Sequence, residues 1–378
     1  MKPKKKVLID IFYMHVAQTG IKTYMLSVCE EVRKNSNTDI EYIISPDFYS
    51  VSQSTFFRGK TPKWKNLLFQ LFYFLRKQLI LPLLSYWFQA DLIFSPDILS
   101  PMWGRGKKVS VIHDTFFWDN PEHYQKIWLK YFLFFLKKGL KKNASIVTIT
   151  EFSKNRLRNM DEFKGLRIDV AYPSSGLNND VDKSLKNASK LPERYFLHVG
   201  VLEKRKNLGM MIKAFSKLIH IPEYADFKLF LVGQRGPRET LDDYDNLITL
   251  VKRLELEESV VFLGYVSQGE LRTFFQNAFG YIFPSSNEGF GLPVLEAFSF
   301  GLPVIISNQG ALKEVAGDAA LVLEENTSEN LFLNMIKLIE DNQLRESLGK
   351  KGIIRLKEFT TEKFFLSLDL TFKDILNE

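Results

Sequence analysis

A single cysteine, Cys29, occurs among the 378 residues. That excludes an internal disulfide and any multi-cysteine metal site, and it suits a reducing compartment. An export signal is also missing: Met1-Lys2-Pro3-Lys4-Lys5-Lys6 is followed by Val7-Leu8-Ile9 and then Asp10, so the apolar run breaks too early for a signal-peptide core. Cytoplasm is the expected location. No Gly-x-Gly-x-x-Gly follows that first run, which counts against a dinucleotide oxidoreductase. The longest apolar region, Leu67 to Phe88, has Arg76 and Lys77 at its centre and Pro82 beyond them, and the reading is against a transmembrane helix there.

What is present begins with charge. A formal net charge of +7 favours anionic partners, and nucleotides, nucleic acid and anionic lipid all qualify. The basic residues are scattered and no nucleic-acid module is recognisable, so no nucleic-acid partner is expected. Lys126 to Asn143 contains no acid. Read as a helix, it puts Lys126, Lys130, Lys137 and Lys141 on one face and Trp128, Phe132 and Phe135 on another. Such a helix either lies on anionic lipid or packs on a core with its lysines in water.

A chain of this length, 45% hydrophobic, can fill two domains. Short β-branched or aromatic runs alternate with longer helical patterns. They are Lys6–Ile11, Ile40–Ser45, Leu92–Ser95, Val109–Ile112 and Ser145–Thr150, then Tyr195–Val199, Lys228–Val232, Val260–Leu263, Ala278–Phe283 and Pro303–Ser307. The alternation means βαβ units and parallel sheets covered on both faces. Ser174 to Pro192, rich in Ser, Asn, Asp and Lys, has the composition of a linker. The domains are therefore drawn as 1–185 and 186–358, with 359–378 as a terminal amphipathic helix.

The strongest local signal is Pro284-Ser285-Ser286-Asn287-Glu288-Gly289-Phe290-Gly291-Leu292-Pro293-Val294-Leu295-Glu296-Ala297. It follows a strand and opens a helix; Pro293 suits a first helical turn, and the glycines let backbone approach a ligand. Free amides at that helix start make an anion site. Glu288 falls at its mouth and Glu296 about a turn inside, so both carboxylates can face one ligand. A second segment, His198-Val199-Gly200-Val201-Leu202-Glu203-Lys204-Arg205-Lys206-Asn207-Leu208, closes the first strand of the second half. There Arg205 and Lys206 supply charge to oxygens that become more negative as a leaving group departs. His113, in Val109-Ser110-Val111-Ile112-His113-Asp114, stands at a strand's carboxyl end, where open α/β sheets place ligands. Asp242, Asp243 and Asp245 form an acidic cluster, read as a solvated loop rather than a metal site.

Glu288-Gly-Phe-Gly-Leu-Pro-x-x-Glu296 resembles the donor-site signature of family 4 glycosyltransferases of the GT-B fold. The likeness extends over nearly the whole chain and is weak from Ser50 to Ala90. It implies two Rossmann-like domains facing across a cleft, the first presenting the acceptor and the second binding the nucleotide, with the terminal helix packing back toward the first. By resemblance, Glu288 sits by the donor sugar and reacting centre and Glu296 holds the ribose hydroxyls. Gly200, Arg205 and Lys206 match the family's Gly-x-x-x-x-Arg-Lys-Asn element, although Val201 replaces its frequent arginine. Gly289, Phe290, Gly291 and Leu292 supply the amides for the diphosphate. His113 becomes a hydrogen-bond donor to sugar hydroxyls, and Asp114 either orients the ring or meets the acceptor. Gly20 stands alone where members usually carry a glycine-rich turn touching the diphosphate. Gly233, in Leu231-Val232-Gly233, and Thr150-Glu151-Phe152-Ser153 resemble further strand-end elements.

The resemblance therefore implies a retaining hexosyltransferase, similar to bacterial mannosyl- and rhamnosyltransferases of surface polysaccharide synthesis. Its substrates are a nucleotide diphosphate sugar, GDP-mannose favoured, and a glycan or lipid-linked glycan acceptor. No cofactor and no metal are expected. Phe116-Phe117-Trp118 offers either a sugar-stacking surface or ordinary packing. With the lysine-striped helix, it points to peripheral contact with an anionic membrane on its cytoplasmic face. The rivals are a GT-B sugar-nucleotide epimerase or hydrolase, and a non-catalytic two-lobed binding protein.

Overall fold

The computed structural model describes residues 3–17, 19–35, 39–54, 62–141, 143–175, 191–236 and 240–378. The chain divides into two compact units, Met1–Gly176 with Phe359–Glu378, and Leu177–Glu358. The boundary expected near residue 185 lies outside the described residues.

Unit 1 holds a parallel sheet of β1 (Lys5–Asp10), β2 (Ile40–Ser45), β3 (Leu92–Ser95), β4 (Lys107–Ile112), β5 (Ala144–Thr148) and β6 (Arg167–Val170), in the order β2-β1-β3-β4-β5-β6. Val7, Leu8, Ile9, Ile93 and Phe94 are wholly buried, as strands covered on both faces require. The helix Thr361–Asn377 packs on this unit: Tyr42 donates to Asp369 at 2.6 Å, and Phe372 meets Phe94 edge-on at 4.9 Å. Each large apolar side chain it buries, such as Leu368 or Phe372, contributes about 1.5–3 kcal/mol.

Unit 2 repeats the plan with β7 (Tyr195–Val199), β8 (Lys228–Val232), β9 (Val260–Gly264), β10 (Gly280–Phe283), β11 (Val304–Ile306) and β12 (Ala320–Val322), ordered β12-β11-β10-β7-β8-β9 and parallel throughout. The helix Leu208–Ile219 buries Met211, Ile212, Phe215 and Leu218 in its core.

The sequence reading missed β6 and β12. Both lie on sheet edges, where one neighbour is enough. Arg167-Ile-Asp-Val therefore carries charges at alternate positions, and Ala320-Leu-Val is only three residues long.

The acid-free helix spans Lys126–Gly139, so Lys141 lies beyond its end. In unit 1 Trp128 stacks on Tyr124 and Phe132, and Phe132 on Phe117, and Trp118 meets Phe163 edge-on at 5.3 Å. The Phe117 and Trp118 rings thus have protein partners, which favours ordinary packing for them. Trp64–Trp87 is one helix long and apolar enough by length and composition to cross a bilayer. Arg76 and Lys77 do not simply interrupt it, as the reading against a span supposed. They are buried, with Arg76 Nε 3.0 Å from Asp10 and Lys77 Nζ 2.8 Å from Asp10 and 2.6 Å from Asp97.

Candidate active site

In unit 2 the chain runs outward through β7, β8 and β9, then crosses back to start β10 on the other side of β7. Ligands of open α/β sheets bind beyond the carboxyl ends of strands at such a reversal, because the two following loops diverge and leave a crevice. The loops after β7 and β10 are the two segments singled out by sequence, Gly200–Asn207 and Pro284–Gly291.

These loops are bonded to each other. The Ser286 amide donates to the Arg205 carbonyl at 2.7 Å, and the Arg205 guanidinium donates to the Asn287 carbonyl at 3.1 Å. At the centre, Glu288 Oε1 accepts from Lys206 Nζ at 2.5 Å, from Arg205 at 2.9 Å and from Ser285 Oγ at 2.8 Å. Arg205 also reaches Glu203 at 2.8 Å, and Lys206 lies 4.6 Å from the centre of the Phe283 ring. Burial alone would raise the Glu288 carboxyl, but Lys206 and Arg205 overrule it and hold the pKa at about 2. Glu288 is therefore ionised at any working pH. Burial pulls the Lys206 ammonium below its ordinary value, against the attraction of Glu288.

Glycines set the backbone here. Gly233 follows β8 at φ +155°, and a Cβ on it would stand 1.8 Å from the Gly200 carbonyl oxygen, so the strand ends approach this closely only without one. Gly310, which the sequence reading did not name, does the same for Glu288: its φ is +65° and a Cβ would lie 2.6 Å from the Glu288 carbonyl oxygen. Gly289 precedes the helix Leu292–Ser299, Gly291 caps it in a left-handed conformation, Pro293 lies in its first turn, and the Phe290 side chain is buried. The start of this helix offers amides to an anion, as the sequence reading expected of Phe290 to Leu292.

Glu296 lies one turn into the same helix, and burial raises its carboxyl to about 7. Burial drives the Tyr281 hydroxyl far above its ordinary value, and the charges of Glu296 and Glu288 add to that rise.

Three residues were missed as site groups, Ser285, Gly310 and His198. His198 is fully buried near the end of β7, stacked with Phe283 at 5.5 Å, and donates from Nδ1 to the Ile282 carbonyl at 2.9 Å. Burial, helped by Lys206, depresses its pKa to about 4. The ring is neutral, and its Nε2 lone pair has no hydrogen-bond partner among the described residues. The only signal available in the sequence was a polar residue in a strand otherwise reading as core.

Two named residues belong to unit 1. His113 follows β4, with Tyr24 edge-on at 4.9 Å. Its Nε2 lies 2.9 Å from the Pro96 carbonyl, which can only accept, so Nε2 carries the proton. Burial pulls the ring's pKa below its ordinary value. Nδ1 is the ring nitrogen left for a ligand. Asp114 accepts from the Phe116 amide at 3.0 Å. Gly20 is not in a loop as expected. It is the second residue of the helix Thr19–Lys34, because the connection after β1 closes in a short turn, Phe12–His15. Thr150 caps the helix Glu151–Arg158, accepting from the Ser153 amide at 3.1 Å.

Of the acidic cluster, Asp242 accepts from the Gly236 amide at 2.8 Å, and Arg235 pairs with both Asp242 and Asp245.

Two Rossmann-like units, with paired cations, a glutamate between them and a helix start at one strand reversal, define a GT-B glycosyltransferase. Residues 180–355 match the family described as glycosyl transferases group 1. The chain is 30% identical over 262 residues, 68% of its length and 67% of the relative's, to O-antigen chain mannosyltransferase B of Escherichia coli. It is 31% identical over 242 residues, 63% and 62% of the two lengths, to O-antigen chain mannosyltransferase RfbU of Salmonella typhimurium. In fold it is similar to sucrose-phosphate synthase from Thermosynechococcus elongatus, with a TM-score of 0.73, 17% identity, and 99% and 100% of the two chains covered. The protein belongs to the group 1 glycosyltransferase family.

Proposed function

We propose that this chain is a retaining, family 4 hexosyltransferase of surface polysaccharide synthesis. Its donor is a nucleotide diphosphate sugar, GDP-mannose in the first instance, and its acceptor is a glycan or lipid-linked glycan. We further propose that it works without a metal, in the cytoplasm and peripheral to the inner face of the cell membrane. The observation that carries the reading is Glu288 held by Lys206 and Arg205 at the strand reversal of unit 2, with Glu296 one turn into the adjoining helix. The names of the two mannosyltransferase relatives support the sugar and the pathway class.

In this reading the donor diphosphate takes the cations Arg205 and Lys206 and the amides of Phe290 to Leu292, and Glu296 accepts from the ribose hydroxyls. These groups stabilise the negative charge that grows as the bond from the anomeric carbon to phosphate breaks. The acceptor hydroxyl attacks on the same face of the sugar, and its proton passes to the departing phosphate oxygen, so configuration is retained without a protein nucleophile. Glu288 stays ionised and steadies the positive charge developing on the sugar. His113 is proposed to hydrogen-bond a sugar hydroxyl.

The test is ligand-observed NMR with GDP-, UDP-, dTDP- and ADP-sugars, with Glu296→Ala as control, followed by product analysis. Selective binding of GDP-mannose and formation of an α-mannoside support the reading. Binding of another nucleotide replaces the donor. A free or epimerised sugar as the sole product replaces the reaction, and no binding at all removes it.

A further inference from the structure

Beyond its first turn, the helix Trp64–Trp87 has its charges inside and a row of apolar groups outside. From Asn66 to Trp87 its only charged residues are Arg76 and Lys77. Both are buried in the network with Asp10 and Asp97, at the carboxyl ends of β1 and β3. Gln78 beside them is buried as well. The opposite side exposes Leu67 (70%), Leu71 (52%), Leu79 (50%), Leu83 (60%) and Trp87 (82%). These positions share a four-residue register, broken only at Leu75, which is half-buried. In an α-helix such a row drifts about 40° per step, and the wider π turn at Arg76–Ile80 takes back part of that drift and keeps the row on one side. An ordinary surface helix has the reverse distribution.

A second helix extends the face. Phe74 packs edge-on against Phe135 at 5.0 Å and lies 6.2 Å from Tyr131, which joins Trp64–Trp87 to Lys126–Gly139. That helix has no acid and exposes Ile127, Tyr131 and Phe134 together with Lys126, Lys130 and Lys138. Contiguous exposed apolar surface of this kind marks an interaction site.

We infer that these two helices form a monotopic docking face, with Trp64–Trp87 lying in the plane of an anionic membrane and its leucine row among the upper acyl chains. The helix does not span, because its inner side carries the Arg76 and Lys77 ion pairs onto the sheet of unit 1, and no span can take the sheet with it. Charge selects the occupant. The lysines on Lys126–Gly139 match anionic headgroups, whereas a second copy of the chain would bring lysine against lysine. This deepens the peripheral membrane contact proposed above, and it is independent of the donor and acceptor assigned there.

The test uses the full chain with vesicles of phosphatidylcholine, alone or with a quarter phosphatidylglycerol, and no nucleotide sugar. The expected result is binding to the anionic vesicles. Leu71→Glu with Leu83→Glu should lower the partition coefficient by about tenfold or more, with nucleotide binding and thermal midpoint unchanged. Lys126→Glu with Lys130→Glu should remove the part that salt screens. In wild-type protein, brominated lipid should quench tryptophan emission, and Trp87→Phe should remove much of the quenched signal, a readout that needs no destabilising variant. Absent vesicle binding, binding indifferent to the leucine pair, or unquenched Trp87 overturns the inference. So does a dimer that dissociates in the leucine variant while vesicles are ignored. Loss of nucleotide binding with vesicle binding intact would instead strike at the donor reading alone.

Discussion

Lys206 Nζ lies 2.5 Å from Glu288 Oε1, and Arg205 shares the same oxygen at 2.9 Å. The two cations assigned to the donor's phosphates are thus held by the carboxylate assigned to its sugar, so a diphosphate that binds there competes with Glu288 for both.

This pairing predicts a split between affinity and rate. Glu288→Gln releases both cations and keeps their charge for the diphosphate, so donor affinity should change by no more than a few-fold. The positive charge on the reacting sugar loses its counter-charge, and kcat should fall by about 10²- to 10³-fold. Titration of donor binding beside single-turnover rates checks this. Equal losses in both would sink the assignment.

Glu296 predicts a pH dependence. Its carboxyl is raised to about 7 by burial, so below that pH the free protein carries it protonated. A protonated carboxyl must give up its proton before it can accept from two ribose hydroxyls. Donor affinity should therefore fall as pH drops below 7, by up to about tenfold per unit. Glu296→Gln should bind more weakly at pH 8 and lose this dependence. Isothermal titration calorimetry from pH 5.5 to 8.5 measures both curves.

Gly310→Ala tests the support under Glu288. A Cβ would lie 2.6 Å from the Glu288 carbonyl and 2.8 Å from its amide, at a φ of +65°. Strain of about 1–3 kcal/mol is expected, relieved in part by displacing Glu288. Activity should fall more than the urea midpoint suggests, and a variant with wild-type kcat would count against the role.

Lys77→Met should destabilise unit 1 by about 3–5 kcal/mol, because it leaves Asp10 and Asp97 buried with one cation fewer. Burial opposes ionisation of Asp10, and the two cations hold it ionised nonetheless. Urea unfolding of the purified variant reads the loss. A change below about 1 kcal/mol would mean that solvent reaches the network.

The periodicity of the sequence located ten strands, and the spacing of Glu288 and Glu296 located the donor loop. Both are local properties: a strand buried on both faces must be continuously apolar, and a loop that opens a helix must carry its glycine, proline and acid in fixed order. The edge strands β6 and β12 escaped because one exposed flank lifts that demand. Gly20 was misplaced because a single glycine suits both a loop and a first helical turn.

The sequence by itself determined the βαβ repetition, the two glutamates eight positions apart and the Arg205-Lys206 pair. Only the tertiary structure decided what these groups touch. Lys206 and Glu288 are 82 residues apart and meet because β7 and β10 are sheet neighbours. His113 donates from Nε2 to the Pro96 carbonyl because β3 and β4, which they follow, are sheet neighbours. Arg76 and Lys77 look like interruptions in an apolar run, and they are buried because Asp10 and Asp97 wait at the ends of two strands. Contacts of this range are set by strand order, and strand order leaves no periodic trace in the chain.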